Sequence, residues 1–94
     1  MTVVRGSGAS TADRVERFVR REGSVADDDP DFTRQVDLFR AGYLDSLGIV
    51  HLIAYLEREF GVRLGDDDLA DPGFATIDGI TALLDRAARA HSTG

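Results

Sequence analysis

Residues 45–61 read Asp45-Ser46-Leu47-Gly48-Ile49-Val50-His51-Leu52-Ile53-Ala54-Tyr55-Leu56-Glu57-Arg58-Glu59-Phe60-Gly61, and this stretch decides the fold. Asp45 or Ser46 can cap the amino end of a helix, and Gly61 suits the left-handed residue that closes one. At about 100° per residue, Ile49, Leu52, Ile53, Leu56 and Phe60 fall on one tight stripe, as in a helix lying on a core. Leu47, Val50 and Ala54 make a second, smaller apolar stripe well over a quarter turn away. One small domain has little with which to cover both stripes, so the second is expected at the surface.

Working upstream, Ser10 or Thr11 can cap an earlier helix, in which Ala12, Val15, Phe18 and Val19 share a face and Gly23 provides the stop. Residues 24–44 form a long connection, because Asp27-Asp28-Asp29-Pro30-Asp31 combines proline with repeated acids. Phe32, Val36, Leu38 and Phe39 are expected to pin it to the core. Downstream, Val62 and Leu64 alternate as in extended chain, and Asp66 to Ala70 fit a single helical turn that Pro72 stops. Thr76 then precedes Ile77, Ile80, Leu83, Leu84, Ala87 and Ala88, an amphipathic helix expected to fray near His91. The pattern predicts an all-α fold, a small bundle of three main helices plus one short helix, with no sheet and no internal repeat. Residues 1–9, which include Gly6, Ser7 and Gly8, are expected to form a flexible tail, residues 10–90 one domain, and residues 91–94 a second flexible tail.

Composition narrows the function. A chain of 94 residues makes one domain with little room for an enclosed active site. The absence of cysteine excludes disulfides and thiolate metal sites, and makes the cytoplasm the default location. A zinc site would have to use His51 and His91 with carboxylates, so no metal is expected. No apolar run approaches the roughly 18 residues of a membrane span, and no hydrophobic signal segment opens the chain. Net charge is −6, of which residues 37–71 contribute −5 through eight acids and three arginines. Such a segment repels nucleic acid and anionic membranes and attracts a basic protein surface, so a docking face is expected there.

The motifs that could carry chemistry each have a plain competitor. Asp27, Asp29 and Asp31 imitate the start of a calcium loop, but Phe32 and Leu38 occupy the places of the required glycine and glutamate. Asp66, Asp67 and Asp68 suit the amino end of a short helix. For Ser46 to act as a nucleophile it would need a base within hydrogen-bond reach, and a nucleophile elbow would place glycines two residues to either side, where Leu44 and Gly48 stand. His51 lies about 140° around the helix from Ser46 and is expected on an exposed polar face. The chain is therefore expected not to be an enzyme. A serine at a helix start, after a tethered loop, beside an uncovered apolar stripe and among acids, fits a protein that another enzyme modifies and that docks transiently.

From Asp37-Leu38-Phe39 through Gly42-Tyr43-Leu44-Asp45-Ser46-Leu47 to Leu56-Glu57-Arg58-Glu59-Phe60-Gly61-Val62, and on into the region from Phe74 to Leu84, the sequence resembles the acyl and peptidyl carrier proteins. The resemblance spans roughly half the chain, with order and spacing kept. It implies a four-helix bundle in which Ser46 receives phosphopantetheine from coenzyme A, transferred by a separate magnesium-dependent phosphopantetheinyl transferase. It assigns Asp45 to the attachment motif, places Ile49, Ile53, Leu56 and Phe60 in the bundle core, and gives Leu47, Val50, His51 and Ala54 to the surface that meets partner enzymes. The implied partners are the transferase, an acyl- or aminoacyl-loading enzyme and downstream biosynthetic enzymes, acting on a monomer. A thiol on a tether would supply what a chain without cysteine lacks and raise the effective concentration of cargo at each active site.

Gly48 and His51 stand where carriers of fatty acid synthesis place acids. The Gly-Tyr-Leu-Asp-Ser-Leu opening and the Phe-Gly-Val close look more similar to stand-alone aminoacyl, D-alanyl or specialised polyketide carriers. The expected function is a stand-alone acyl or aminoacyl carrier of polyketide, nonribosomal peptide or related biosynthesis. The alternative is a helical interaction module in which Asp45-Ser46 is only a cap.

Overall fold

Ser10, the first residue described, accepts a hydrogen bond from the Asp13 N–H, while its own N–H donates to the Asp13 carboxylate; this reciprocal pair satisfies two of the free donors at the start of α1, Thr11–Glu22. The structure, a computed structural model, describes residues 10–93, with side chains as far as Arg89. The expected tail of residues 1–9 lies outside the described residues. Gly23 closes α1, as its position predicts, and a side chain there would come within 2.5 Å of the Tyr43 carbonyl oxygen. The missing side chain is what lets the segment before Ser46 cross the end of α1.

The second helix, α2, spans Ser46–Phe60, capped by Asp45 and closed by Gly61 in the left-handed conformation at φ 66°. A five-residue helix, α3, follows at Asp66–Ala70, where the Asp68 carboxylate accepts from the Gly65 N–H. Pro72 both stops α3 and opens a 3-10 turn, Pro72–Ala75, that the sequence pattern did not announce. The last helix, α4, runs Ile77–Thr93, started by Thr76, whose hydroxyl accepts from the Gly79 N–H. The backbone thus stays helical past His91, beyond the point where the apolar pattern ends, and Ala88 is exposed. The described residues form helices and no strand, the four-helix architecture expected.

The bundle closes because α1, α2 and α4 contribute their apolar faces to one cluster. Val15 and Val19 of α1, Leu52 and Leu56 of α2, and Ile77, Ile80, Leu83 and Leu84 of α4 are buried in it together with Phe74. Each such side chain, fully removed from water, contributes about 1.5–3 kcal/mol. The core stripe of α2 is graded: Leu52 and Leu56 are fully enclosed, whereas Ile49, Ile53 and Phe60 are half-buried against the rim. Phe60 meets Tyr55 edge-on and lies under the Arg14 guanidinium, and Tyr55 stacks on Phe18 with centroids 4.3 Å apart, which fastens α2 to α1.

The 24–44 connection is irregular but tied down. Phe32 and Leu38 are buried, and Val36 and Phe39 pack beside them. Leu38 is the hub: its N–H donates to the Ala75 carbonyl at 2.8 Å, and its own carbonyl accepts from the N–H groups of Tyr43 and Leu44. Arg34 joins the connection to α1 through Glu16 at 2.8 Å and through Asp13, and its carbonyl accepts from the Asp78 N–H.

Candidate functional site

The ties of the connection deliver residues 42–45 to the start of α2 in one arrangement. Gly42 turns the chain at φ 85°. The Tyr43 hydroxyl then donates to the Asp29 carboxylate at 2.9 Å, and its ring meets Phe32 edge-on at 5.0 Å. Desolvation, with the Asp29 carboxylate beside it, raises the Tyr43 pKa and keeps the phenol a donor. Leu44 turns inward and is buried, although the sequence pattern marked no core residue between Phe39 and the helix. No local periodicity reveals it, since it is a single anchor in irregular chain.

Asp45 is extended at φ −99°, and its carboxylate accepts from the Gly48 N–H at 2.8 Å. Of the two candidate caps, the acid therefore does the capping, and Ser46 becomes the first helical residue. The Ser46 side chain is exposed, and its hydroxyl makes no hydrogen bond to any described residue. It projects at the end of α2 where free N–H groups and the helix dipole favour an anion. Gly48 is buried under the same turn: a Cβ there would sit 3.2 Å from Leu44 and 3.3 Å from the Asp45 carboxylate. Its want of a side chain packs the first turn onto Leu44 and presents nothing to a partner.

Beyond Ser46 the second apolar stripe is at the surface. Leu47 and Val50 are 61% and 59% exposed, the large hydrophobic side chains most open to solvent among the described residues, and Ala54 is exposed in line with them. His51 is exposed as expected, but its Nδ1 lies 2.7 Å from a Glu22 carboxylate oxygen at the end of α1. That pairing joins residues far apart in sequence, and no local pattern signals it. Past Ala54 the stripe runs into an open groove of about 980 Å³ lined by Arg58, Val62, Arg63, Leu83, Arg86 and Ala87.

Among the described residues no group of three or more His, Asp and Glu side chains is placed to hold a metal ion, and no helix is long and apolar enough to cross a membrane. The site offers an exposed hydroxyl, without a partner among the described residues, at a helix start, flanked by a cap that orients the turn and by an apolar strip. A family model described as the phosphopantetheine attachment site matches residues 16–84, a span that runs from α1 to α4. No curated protein and no solved structure matches the chain.

Proposed function

The chain belongs to the phosphopantetheine attachment family, whose members carry that group covalently, and from this we propose that Ser46 is the attachment residue of a discrete acyl or aminoacyl carrier protein. The observation that carries the assignment is the free Ser46 hydroxyl: Asp45 supplies the cap, so the serine is not consumed in holding the helix. The residues fit the group. A phosphodiester formed on Ser46 would lie at the amino end of α2, in reach of its free N–H groups, with Leu47 and Val50 beside it.

Loading joins the Ser46 oxygen to the phosphorus that bears the pantetheine of coenzyme A, breaks the phosphoanhydride bond, and releases adenosine 3′,5′-bisphosphate. The transferase takes the serine proton, because no described side chain is bonded to that hydroxyl. When bound, the group supplies the terminal thiol that the cysteine-free chain lacks, and the cargo is held on it as a thioester.

In this reading the protein is a substrate of its partners and not a catalyst. Leu47, Val50, His51 and Ala54 form the face that meets the transferase, the loading enzyme and downstream biosynthetic enzymes. The Gly42–Leu47 opening and the Phe60-Gly61-Val62 close support a stand-alone carrier of specialised biosynthesis, of aminoacyl, D-alanyl or polyketide type, proposed to act as a monomer, and the cysteine-free sequence fits a cytoplasmic location. Co-expression with a broad-specificity phosphopantetheinyl transferase, followed by intact mass spectrometry, tests the assignment. A gain of one phosphopantetheine, lost in Ser46→Ala, is expected; no gain, or a gain that survives the substitution, refutes it.

A further inference from the structure

We infer that the groove beyond Ala54 receives cargo that ends in a carboxylate, with Arg58 and Arg63 binding the acid group; this rests on attachment of the arm at Ser46. Ser46, Val50 and Ala54 are spaced by four residues and make one exposed row along α2, and Ala54 is the near edge of the groove. At 1.5 Å per residue, Ala54 lies about 12 Å and Arg58 about 18 Å along the axis from Ser46. An extended phosphopantetheine arm places about twelve atoms between phosphorus and sulfur, which at peptide-like dimensions spans roughly 15 Å. An arm laid along the row would therefore put its thioester at the groove and the far end of a short cargo among the arginines.

The lining explains which cargo suits it. Leu83 is buried beneath the groove, and Val62 and Ala87 are half-buried along it, an apolar floor for a few methylenes. Of the charged groups around that floor, the acids are engaged: Glu57 accepts from the Leu64 N–H at 2.9 Å and Asp68 from the Gly65 N–H at 3.0 Å. Arg86 is 3.5 Å from Asp71. Arg58 and Arg63 are exposed and make no hydrogen bond or ion pair with a described residue. In a chain of net charge −6, the groove thus offers two uncommitted cations over an apolar floor. A guanidinium matches a carboxylate in two parallel hydrogen bonds, whereas a neutral acyl end would use the floor alone.

The test compares two cargoes of equal chain length, glutaryl and pentanoyl, installed on Ser46 by a broad-specificity transferase as amide-linked coenzyme A analogues, with intact mass confirming one arm per chain. In two-dimensional nitrogen–proton spectra the glutaryl form is expected to shift the side-chain Nε–H signals of Arg58 and Arg63 and the amides of Val62 and Ala87, relative to the unacylated arm. The pentanoyl form should leave both Nε–H signals in place, and the double variant Arg58→Gln, Arg63→Gln should erase the difference between the cargoes. Glutaryl spectra that superimpose on the unacylated form, equal shifts from both cargoes, or glutaryl shifts that persist in the double variant overturn the inference. The wild-type comparison of the two cargoes stands even if the variant fails to fold. Absence of any mass gain overturns the attachment assignment itself, whereas a loaded arm without these shifts overturns the cargo inference alone.

Discussion

At the scale of single residues, the division of labour between Asp45 and Ser46 is what would make the proposed attachment compatible with folding. The acid holds the helix start through the Gly48 N–H, so the serine can be esterified without loss of a cap. Asp45→Ala should therefore cost about 1 kcal/mol, within a range of about 0.5–2, and lower the melting temperature by about 4–8 °C per kcal/mol, whereas Ser46→Ala should leave it almost unchanged. Thermal unfolding followed by circular dichroism separates the two. Equal losses would mean that the hydroxyl shares in the cap. The Asp45-Ser46 pair could be read in the sequence as a candidate site because its residues are consecutive. Which of its two members caps, and that Gly48 is buried, depended on how Leu44 tucks beneath the turn.

At the scale of elements, α2 presents one face to the core and another to solvent, and the two should respond differently to substitution. Leu52→Ala removes a fully enclosed side chain and should cost about 2–5 kcal/mol, and Phe60→Ala, at the half-buried rim, less than that. Leu47→Asp and Val50→Asp should keep helicity and midpoint while slowing loading by the transferase, because their side chains already face water. Urea unfolding and a loading time course give both readouts, and unfolding by all four substitutions alike would refute the assignment of faces. A further contrast lies between the 3-10 turn and α4. Helix propensity alone favours Gly79→Ala by about 1 kcal/mol. Yet a Cβ at Gly79 would collide with the Gly73 carbonyl oxygen, backbone that cannot yield like a flexible side chain. The substitution should instead destabilise the protein by about 1–3 kcal/mol, measured by the same unfolding curves.

At the scale of the whole molecule, Arg34 links the irregular connection to α1, and with it the positioning of Ser46 to the charge state of two acids. Hydrogen bonds from Arg34 are the largest cause holding the Asp13 and Glu16 carboxyls below their usual values, helped by the Ser10 N–H at Asp13 and by Arg20 at Glu16. Carboxyls depressed in the folded state contribute stability that is present above their unfolded pKa, about 4, and lost as pH falls through the lower folded values. Stability should accordingly decline on acidification below about pH 4, and Arg34→Gln should be less stable at neutral pH with a flatter acid limb. Urea midpoints measured from pH 7 down to pH 2 test this, and an unchanged acid limb in the variant would show that Arg34 is not the coupling. The sequence by itself determined the four helices, their candidate caps and the resemblance to the carrier family, because 3.6-residue periodicity and capping chemistry are local and written in consecutive residues. Only the tertiary structure decided that Leu44 also anchors the loop, that Glu22 meets His51, that Gly73 and Gly79 touch, and that Arg58 and Arg63 share one groove. These are contacts between distant residues, set by how the helices pack and not by any pattern along the chain.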